Sequence, residues 1–211
     1  MHSHDSSSQL HVCLICGTPL EPIIQLSSLV RQMRICPLCQ KSFHRVDYHG
    51  NINGYPLWIL YDYNDFFRSL LYRYKGLYDY MLKDVFLDRD MDLLKKRYHD
   101  YYIAIAPSDM QTNQIRGFAP NEAIVKNISS HVFNGLYKNK PHKQSSLRYD
   151  ERACVKEVID IRGGEFLRGA KVLLFDDVIT SSQTIQRCLS LIEKYEPACI
   201  EILVLSTRTY L

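Results

Sequence analysis

The sequence lacks a long apolar run, a signal-peptide pattern and a strong excess of either charge. No stretch approaches the roughly 18 consecutive apolar residues of a membrane helix, and the N-terminus lacks the basic-then-apolar pattern of a secretory signal. The 211 residues include 26 Lys and Arg against 23 Asp and Glu, an excess too small to establish a nucleic acid partner by itself. We therefore expect a cytoplasmic protein with no membrane span.

The composition is that of an ordinary globular protein, with 46% hydrophobic and 23% charged residues. This balance is enough to bury a real core. Residues 1–9 contain no apolar side chain after Met1 and are expected to form a flexible tail. Three further parts are expected: a cysteine-held module at 10–50, a strand and helical linker at 51–98, and a main domain at 99–211.

Four of the seven cysteines form two Cys-x-x-Cys pairs, Cys13 with Cys16 and Cys36 with Cys39. Two intervening residues form a tight knuckle that directs both sulfurs at one ion, and the distance between the pairs is typical of a four-cysteine zinc site. A redox pair would begin a helix in a βαβ unit, and neither pair has that context. We predict structural zinc, which would fold a segment too short to build its own core.

Short apolar runs alternate with amphipathic segments from Tyr101 onward, which is typical of a parallel α/β sheet. The predicted strands are residues 58–63, 102–106, 171–175 and 199–205. The predicted helices are one starting at Asn64 or Asp65 and running through Leu71, and further ones at 78–87, 121–131 and 182–195. Little helical or strand periodicity is visible from Cys13 to about Asp47.

The segment Val172-Leu-Leu-Phe-Asp-Asp-Val-Ile-Thr-Ser-Ser-Gln-Thr184 carries the most specific chemistry of the chain. It places Asp176 and Asp177 after a buried strand, where open α/β sheets bind ligands. Backbone amides at the following helix N-terminus, together with hydroxyls, can bind a phosphate, while the two carboxylates can accept hydrogen bonds from ribose hydroxyls. The alternative is a strand ending in exposed acids with Ser and Thr capping the next helix. We predict a ribose phosphate site.

The candidate site residues fall into two groups. Asp176 and Asp177 would hold the ribose and carry any catalysis. The phosphate-binding and cofactor-binding candidates are Pro107, Ser108, Val178, Ile179, Thr180, Ser181, Ser182, Gln183 and Thr184.

The segment 172–184 resembles the phosphoribosyl pyrophosphate (PRPP) motif of type I phosphoribosyltransferases, with the same acid pair and Thr/Ser-rich turn. Ser182 stands where that family usually has glycine. If the position requires a positive φ, serine costs about 1 kcal/mol. The resemblance implies a type I phosphoribosyltransferase fold, a parallel sheet flanked by helices, for residues 99–211.

The chain as a whole is similar to the ComF-type (ComFC) competence family. The matching features are Cys13, Cys16, Cys36 and Cys39, Tyr72-Arg-Tyr-Lys-Gly76, Arg116-Gly-Phe118, the frame of Gln144, Leu147 and Arg152, the Asp176 loop, and Ser206-Thr-Arg208. The resemblance implies PRPP or ribose 5-phosphate as ligand, Mg²⁺ accompanying PRPP, and a role in uptake of single-stranded DNA, with a DNA-uptake helicase as a possible partner. An active phosphoribosyltransferase using an unidentified small nucleophile is the alternative, and a structural adaptor with a vestigial site is a third possibility.

Two further regions carry weaker signals. Residues 137–156 hold six Lys or Arg against Asp150 and Glu151, so they could close over pyrophosphate or contact a nucleic acid backbone, or they could be a solvated loop. Residues 61–80 hold six of the fifteen tyrosines, which could stack on bases. Tyrosine at helical spacing is more often a core residue with its hydroxyl at the surface.

Overall fold

The structure is a computed structural model, and it describes residues 11–20, 34–139 and 158–208. The strands in the described residues are β1 (Arg45–Ile52), β2 (Tyr55–Asp62), β3 (Tyr102–Ile105), β4 (Val132–Phe133), β5 (Leu136–Asn139), β6 (Val158–Ile161), β7 (Lys171–Ile179) and β8 (Cys199–Thr207). The α-helices are α1 (Pro37–Ser42), α2 (Asp65–Gly76), α3 (Met91–Tyr98), α4 (Met110–Arg116), α5 (Pro120–Val125) and α6 (Gln183–Ile192). Short 3₁₀ helices cover Tyr80–Asp84, Gly164–Leu167 and Glu193–Tyr195.

Six strands form one mixed sheet in the order β1-β2-β8-β7-β3-β4. Five neighbouring strands of this sheet are parallel to one another, namely β2, β8, β7, β3 and β4. The edge strand β1 is antiparallel to β2. β5 and β6 form a separate antiparallel pair. The predicted α/β sheet flanked by helices is confirmed, with one antiparallel edge strand added to the parallel core.

The two central strands, β7 and β8, are buried on both faces. Leu173 and Phe175 of β7 belong to one hydrophobic cluster, which includes buried residues of α2, α3 and α5. Val172 and Leu174 belong to a second cluster that α6 covers. This alternation follows from the two-residue side-chain period of a strand, and it explains why β7 begins as a continuous apolar run.

β1 was not predicted, and it begins at Arg45, at the end of the stretch in which little strand periodicity is visible. Its side chains are mostly exposed, so the strand has no alternation of apolar and polar residues for a sequence reader to find. β1 also crosses the expected boundary between the 10–50 module and the 51–98 linker.

Several helix predictions also need correction. The helix predicted at 121–131 is α5, which ends at Val125. Just beyond it, the His131 N–H donates to Ser129 Oγ at 3.1 Å, a local alternative to helical bonding. The stretch 78–87 is helical only as the 3₁₀ segment Tyr80–Asp84, because Tyr78 has a φ of 62°. The helices α3 and α4 were not predicted, and α4 buries no residue.

None of the helices in the described ranges combines the length and apolar character needed to cross a membrane.

Candidate functional site

The acid pair lies inside β7 rather than after it. The strand continues to Ile179, four residues past the predicted end, because it stays paired with β8 as far as Thr207. Asp177 is 8% exposed, so the predicted strand-to-loop transition occurs after the acids. The carboxylates therefore emerge from a rigid element near the carboxyl end of the parallel sheet, which is the edge where such sheets bind ligands.

Each acid has its own polar partner. The Lys75 ammonium, from the last turn of α2, donates to Asp177 Oδ2. The Asn121 amide, from the first turn of α5, donates to Asp176 Oδ1 at 3.1 Å. The Asp177 backbone N–H also donates to Asp176 Oδ1, at 2.9 Å.

These surroundings move the two pKa values apart. Burial, followed by the charge of Asp177, raises the pKa of Asp176 to about 7. Burial also opposes ionisation of Asp177, but the adjacent Lys75 ammonium outweighs it and holds the pKa of Asp177 below its usual range. Asp177 is therefore the permanent anion of the pair, and Asp176 changes its charge near neutral pH.

The predicted phosphate turn runs from Thr180 to Thr184, and its first three residues, Thr180, Ser181 and Ser182, lie between β7 and α6. Thr180 and Ser181 are exposed. Ser182 has φ −67° and ψ −7°, and its side chain makes no capping hydrogen bond to the first turn of α6. The strain expected for serine at this position is therefore absent. No acidic residue lies in the first turn of α6, which includes Gln183 and Thr184, so the helix N-terminus keeps the polarity that favours an anion.

Pro107 and Ser108 follow β3, the parallel neighbour of β7. The Ala106 N–H donates to the Phe175 carbonyl at 2.9 Å, so this turn and the acid pair lie on adjacent strands at the same edge of the sheet. Asn113 donates to Ser108 Oγ at 2.6 Å. Both turns contain predicted site residues, and the fold brings them to the same edge of the sheet.

Two buried acceptors near the acid pair have no hydrogen-bond partner within the described part of the chain. They are Asn121 Oδ1, next to Asp176, and Ser206 Oγ, which is in register with Val178. Buried polar groups are nearly always paired. Unpaired hydrogen-bonding atoms beside the two acids are expected in a site that binds a hydroxyl-bearing ligand.

The two carboxylates of the acid pair are already bonded to protein donors and do not form an open site for a divalent metal ion. Mg²⁺ requires several oxygen ligands in near-octahedral arrangement. Asp177 is already bonded to the Lys75 ammonium, and Asp176 to the Asn121 amide. No step at this pair is therefore assigned to magnesium.

The four cysteines of the two pairs form one cluster. Their sulfur atoms all lie within 4.8 Å of one another, and Cys16 Sγ is 3.7 Å from Cys36 Sγ. Tetrahedral zinc with Zn–S bonds of about 2.3 Å holds its sulfurs about 3.8 Å apart. The cluster could therefore hold a metal ion such as zinc, as the sequence predicted.

Backbone amides support the sulfurs. The Cys36 N–H donates to Cys13 Sγ at 3.3 Å, and the Cys39 N–H to Cys36 Sγ at 3.5 Å. Cys36 also caps α1, which begins at Pro37. Gly17 has φ 74°, which closes the first knuckle at low steric cost. Amide donors of this kind stabilise thiolate ligands.

The tyrosines of residues 61–80 divide between core and surface. Tyr61 and Tyr74 are buried, at 4% and 0% exposure, whereas Tyr72, Tyr78 and Tyr80 are exposed. Tyr61 and Tyr74 are therefore core residues, which is the structural alternative to base stacking.

Some predicted features lie outside the described residues. They are the tail 1–9, Gln144, Leu147, and five cations of the basic segment, Lys140, Lys143, Arg148, Arg152 and Lys156.

A cavity of about 480 Å³ opens at the carboxyl ends of β2 and β8. It is lined by Val46, Tyr48, Ile59, Tyr61, Asp62, Tyr63, Thr207 and Arg208. The Arg208 guanidinium stacks on Tyr63, 4.5 Å from the ring centroid. The backbone N–H of Arg208 donates to the Ile179 carbonyl at 3.0 Å, which places the cavity next to the end of β7. Sequence reasoning identified no such pocket.

Sequence reasoning also missed the roles of Lys75 and Asn121. Lys75 belongs to the motif Tyr72-Arg-Tyr-Lys-Gly76, and Asn121 begins the helix predicted at 121–131, but neither was assigned to the site. Lys75 is 102 residues from Asp177 in the chain. No local pattern indicates a contact across that separation.

Comparison with known proteins gives matches to a domain family, to similar proteins and to solved structures. The phosphoribosyl transferase domain family matches residues 116–209. Competence protein ComFC of Streptococcus pneumoniae is 26% identical and covers 86% of this chain and 93% of its own length. Competence protein ComFC of Bacillus subtilis is 23% identical, covering 90% and 81%.

Among solved structures, a purine phosphoribosyltransferase from Pyrococcus horikoshii is 19% identical, covering 58% of this chain and 73% of that one. The TM-score of 0.38 is too low to support an argument. The type I phosphoribosyltransferase fold rests instead on the domain match and on the sheet described above.

Proposed function

Because this chain carries a phosphoribosyl transferase domain and is similar over most of its length to two ComFC competence proteins, we propose that it is a competence factor that supports uptake of single-stranded DNA in natural transformation. Its domain would bind PRPP or another ribose phosphate as a ligand. The observation that carries this proposal is the grouping of Asp176, Asp177 and the 180–184 turn at one edge of the sheet.

Each part of the group suits one part of the ligand. Ser182 makes no side-chain cap at the N-terminus of α6, and the amides of that first turn can donate to a 5′-phosphate. The carboxylates of Asp176 and Asp177 can accept hydrogen bonds from ribose hydroxyls. The turn at Pro107 and Ser108 lies beside them, on the neighbouring strand, where it can contact a pyrophosphate.

Calorimetric titration with ribose 5-phosphate and with PRPP tests this assignment. The wild-type protein is expected to bind both, and the double variant Asp176→Ala/Asp177→Ala neither, with its circular dichroism spectrum unchanged. Asp100→Asn is a matched control, because Asp100 is an exposed acid paired with Lys171 at the opposite end of β7. Equal affinity of the double variant and the wild type would show that the acid pair is not the ligand site.

Direct contact with DNA is the less constrained part of the proposal. Tyr72 is 63% exposed, and Arg68, four residues earlier on α2, is exposed as well. This spacing puts an aromatic face and a cation on one side of the helix. Such a pair can stack on a base and hold a backbone phosphate.

Fluorescence anisotropy with an oligo-dT strand at low salt measures this contact. Tyr72→Ala should weaken binding about fivefold or more, since stacking on one base contributes about 1–3 kcal/mol. Phe166→Ala removes an equally exposed aromatic (66% exposed) from the segment Gly164–Leu167 and should leave affinity unchanged. Absence of any binding by the wild type at low salt would leave a protein partner, such as an uptake helicase, as the route to DNA.

The four-cysteine cluster is proposed to hold structural zinc. Four thiols of this kind are stable in a reducing compartment, which is consistent with a cytoplasmic location.

An active phosphoribosyltransferase is the second candidate, and the cavity at β2 and β8 favours it. Its volume is within the range of small-molecule sites, and its mostly apolar lining with a few polar groups is typical of them. It could therefore hold a nucleophile beside the ribose site. In such a reaction the nucleophile would bond to the anomeric carbon as pyrophosphate leaves. Pyrophosphate release, measured across a panel of purines, pyrimidines and small amines, separates this candidate from a binding-only role.

A further inference from the structure

Lys75 carries a positive charge from α2 into the acid pair of β7. Its ammonium donates to Asp177 Oδ2, and the two side chains are 27% and 11% exposed. Opposite charges this close and this shielded from water interact more strongly than an exposed pair. The contact is therefore a built feature of the site.

The end of α2 is anchored so that Lys75 stays beside Asp177. Tyr74, which is fully buried, donates its hydroxyl to the Pro120 carbonyl at 2.8 Å. Arg116 Nε donates to the Lys75 carbonyl, also at 2.8 Å, and Arg116 Nη1 donates to Asn113 Oδ1 at 2.9 Å. Since Asn113 bonds to Ser108, one polar chain joins the α2 terminus to the turn after β3.

The charge balance explains what Lys75 supplies. Two neighbouring carboxylates would repel the phosphate of an incoming sugar. One ammonium cancels the charge of Asp177, the acid that stays ionised. A sugar phosphate thus meets a nearly neutral pair whose oxygens can still accept hydrogen bonds from hydroxyls. A divalent ion could provide the same neutralisation, but the ammonium already occupies the carboxylate.

We propose that Lys75 is the built-in cation of the ribose phosphate site and takes the place of a divalent metal ion at the acid pair, so that a sugar phosphate binds without magnesium. The inference rests on the proposed function, because it concerns the same site. Two points are new: Lys75 neutralises the acid pair, and sugar phosphate binding does not depend on a metal ion.

The test is calorimetric titration of the zinc-loaded full chain with ribose 5-phosphate, in buffer freed of magnesium and then with magnesium added. A chelator is avoided because it would also remove zinc. The wild-type dissociation constant should stay the same within about twofold. Lys75→Met should weaken binding about tenfold or more without magnesium, the loss expected for a charge-assisted interaction, and magnesium should restore part of it.

Two controls separate charge from structure. Lys75→Arg keeps the cation and should bind without magnesium. Lys171→Met removes an exposed lysine that pairs with Asp100 at the opposite end of β7 and should behave as wild type. Wild-type binding that requires magnesium would overturn the inference and leave the proposed function standing. No wild-type binding in either buffer would refute both.

Manganese binding by electron paramagnetic resonance gives a second measurement that does not depend on the sugar. Mn²⁺ prefers oxygen ligands. The ligand-free wild type should bind none at the acid pair, whereas Lys75→Met should bind one ion. A wild-type Mn²⁺ signal that Asp177→Asn abolishes would contradict the assignment of Lys75.

Discussion

Asp176 and Asp177 have the same side chain and adjacent positions, yet their environments give them opposite roles. Lys75 keeps Asp177 ionised, while burial and the neighbouring charge raise the pKa of Asp176 to about 7. The two carboxylates meet different partners, because the end of α2 brings Lys75 to Asp177 and the start of α5 brings Asn121 to Asp176. One acid is therefore a fixed acceptor and the other responds to pH.

This difference predicts the pH dependence of stability. A carboxyl group whose pKa is raised in the folded state contributes its full stabilisation to that state only at low pH. For Asp176 this contribution is lost as the pH rises from the ordinary aspartate pKa near 4 to about 7. Asp176→Asn removes the titration, so its melting temperature relative to wild type should rise from pH 5.5 to 7 and level off above pH 7.5. Calorimetric melting of both proteins across this range checks it.

The four-cysteine cluster is the same in both proteins, so its own pH response cancels in the difference. A constant difference at every pH would mean that Asp176 titrates normally.

At the scale of elements, α2 joins three parts of the molecule. Its buried face packs into the core, Arg73 Nη1 donates to the Ile15 carbonyl of the cysteine module at 2.8 Å, and Lys75 reaches the acid pair. The Tyr74 hydroxyl fixes the helix end to the first residue of α5. A change at this helix should therefore be felt in the ligand site.

Tyr74→Phe tests that coupling. Loss of the hydroxyl removes one of the hydrogen bonds to the buried Pro120 carbonyl, so unfolding should become easier by about 0.5–1.5 kcal/mol. Denaturant titration measures this loss, and ribose 5-phosphate affinity should fall as well. Tyr72→Phe, at an exposed position of the same helix, should change stability by less than about 0.5 kcal/mol. Equal effects of the two changes would show that the α2–α5 contact carries no special stability.

At the scale of the whole molecule, the cysteine module and the sheet share one hydrophobic cluster. Cys13, Cys36 and Cys39 belong to the cluster that contains Phe175 of β7 and Leu203 of β8. The module is therefore continuous with the core that supports the acid pair.

Zinc removal should for this reason destabilise the entire chain. A chelator, or Cys39→Ser, is expected to lower the melting temperature by more than about 5 °C within a single transition, since several kcal/mol of binding energy would be lost. Cys188→Ser changes a buried cysteine that is not part of the four-cysteine cluster, and it should leave the zinc content intact. A separate low-temperature transition, with the main one unmoved, would show that the module folds independently.

The sequence alone determined the features that depend on neighbouring residues. The two Cys-x-x-Cys pairs, the apolar run of β7, the acid pair with its hydroxyl turn, and the Asn64 cap of α2 all express local chemistry. They were predictable because a strand, a cap or a metal knuckle needs only residues a few positions apart. The exposed strand β1 lacked such a signal and was missed. The short helix α4 has an Asp109 cap and Gly117 at its end but no buried apolar face, and it was missed as well.

Only the tertiary structure decided which distant groups meet. The contact of Lys75 with Asp177 joins residues 102 positions apart, and Asn121 reaches Asp176 only because α5 packs beside β7. The cavity likewise depends on β1, β2 and β8 lying side by side. Contacts of this kind arise from the packing of elements around a common core, and local sequence does not encode which surfaces will face each other.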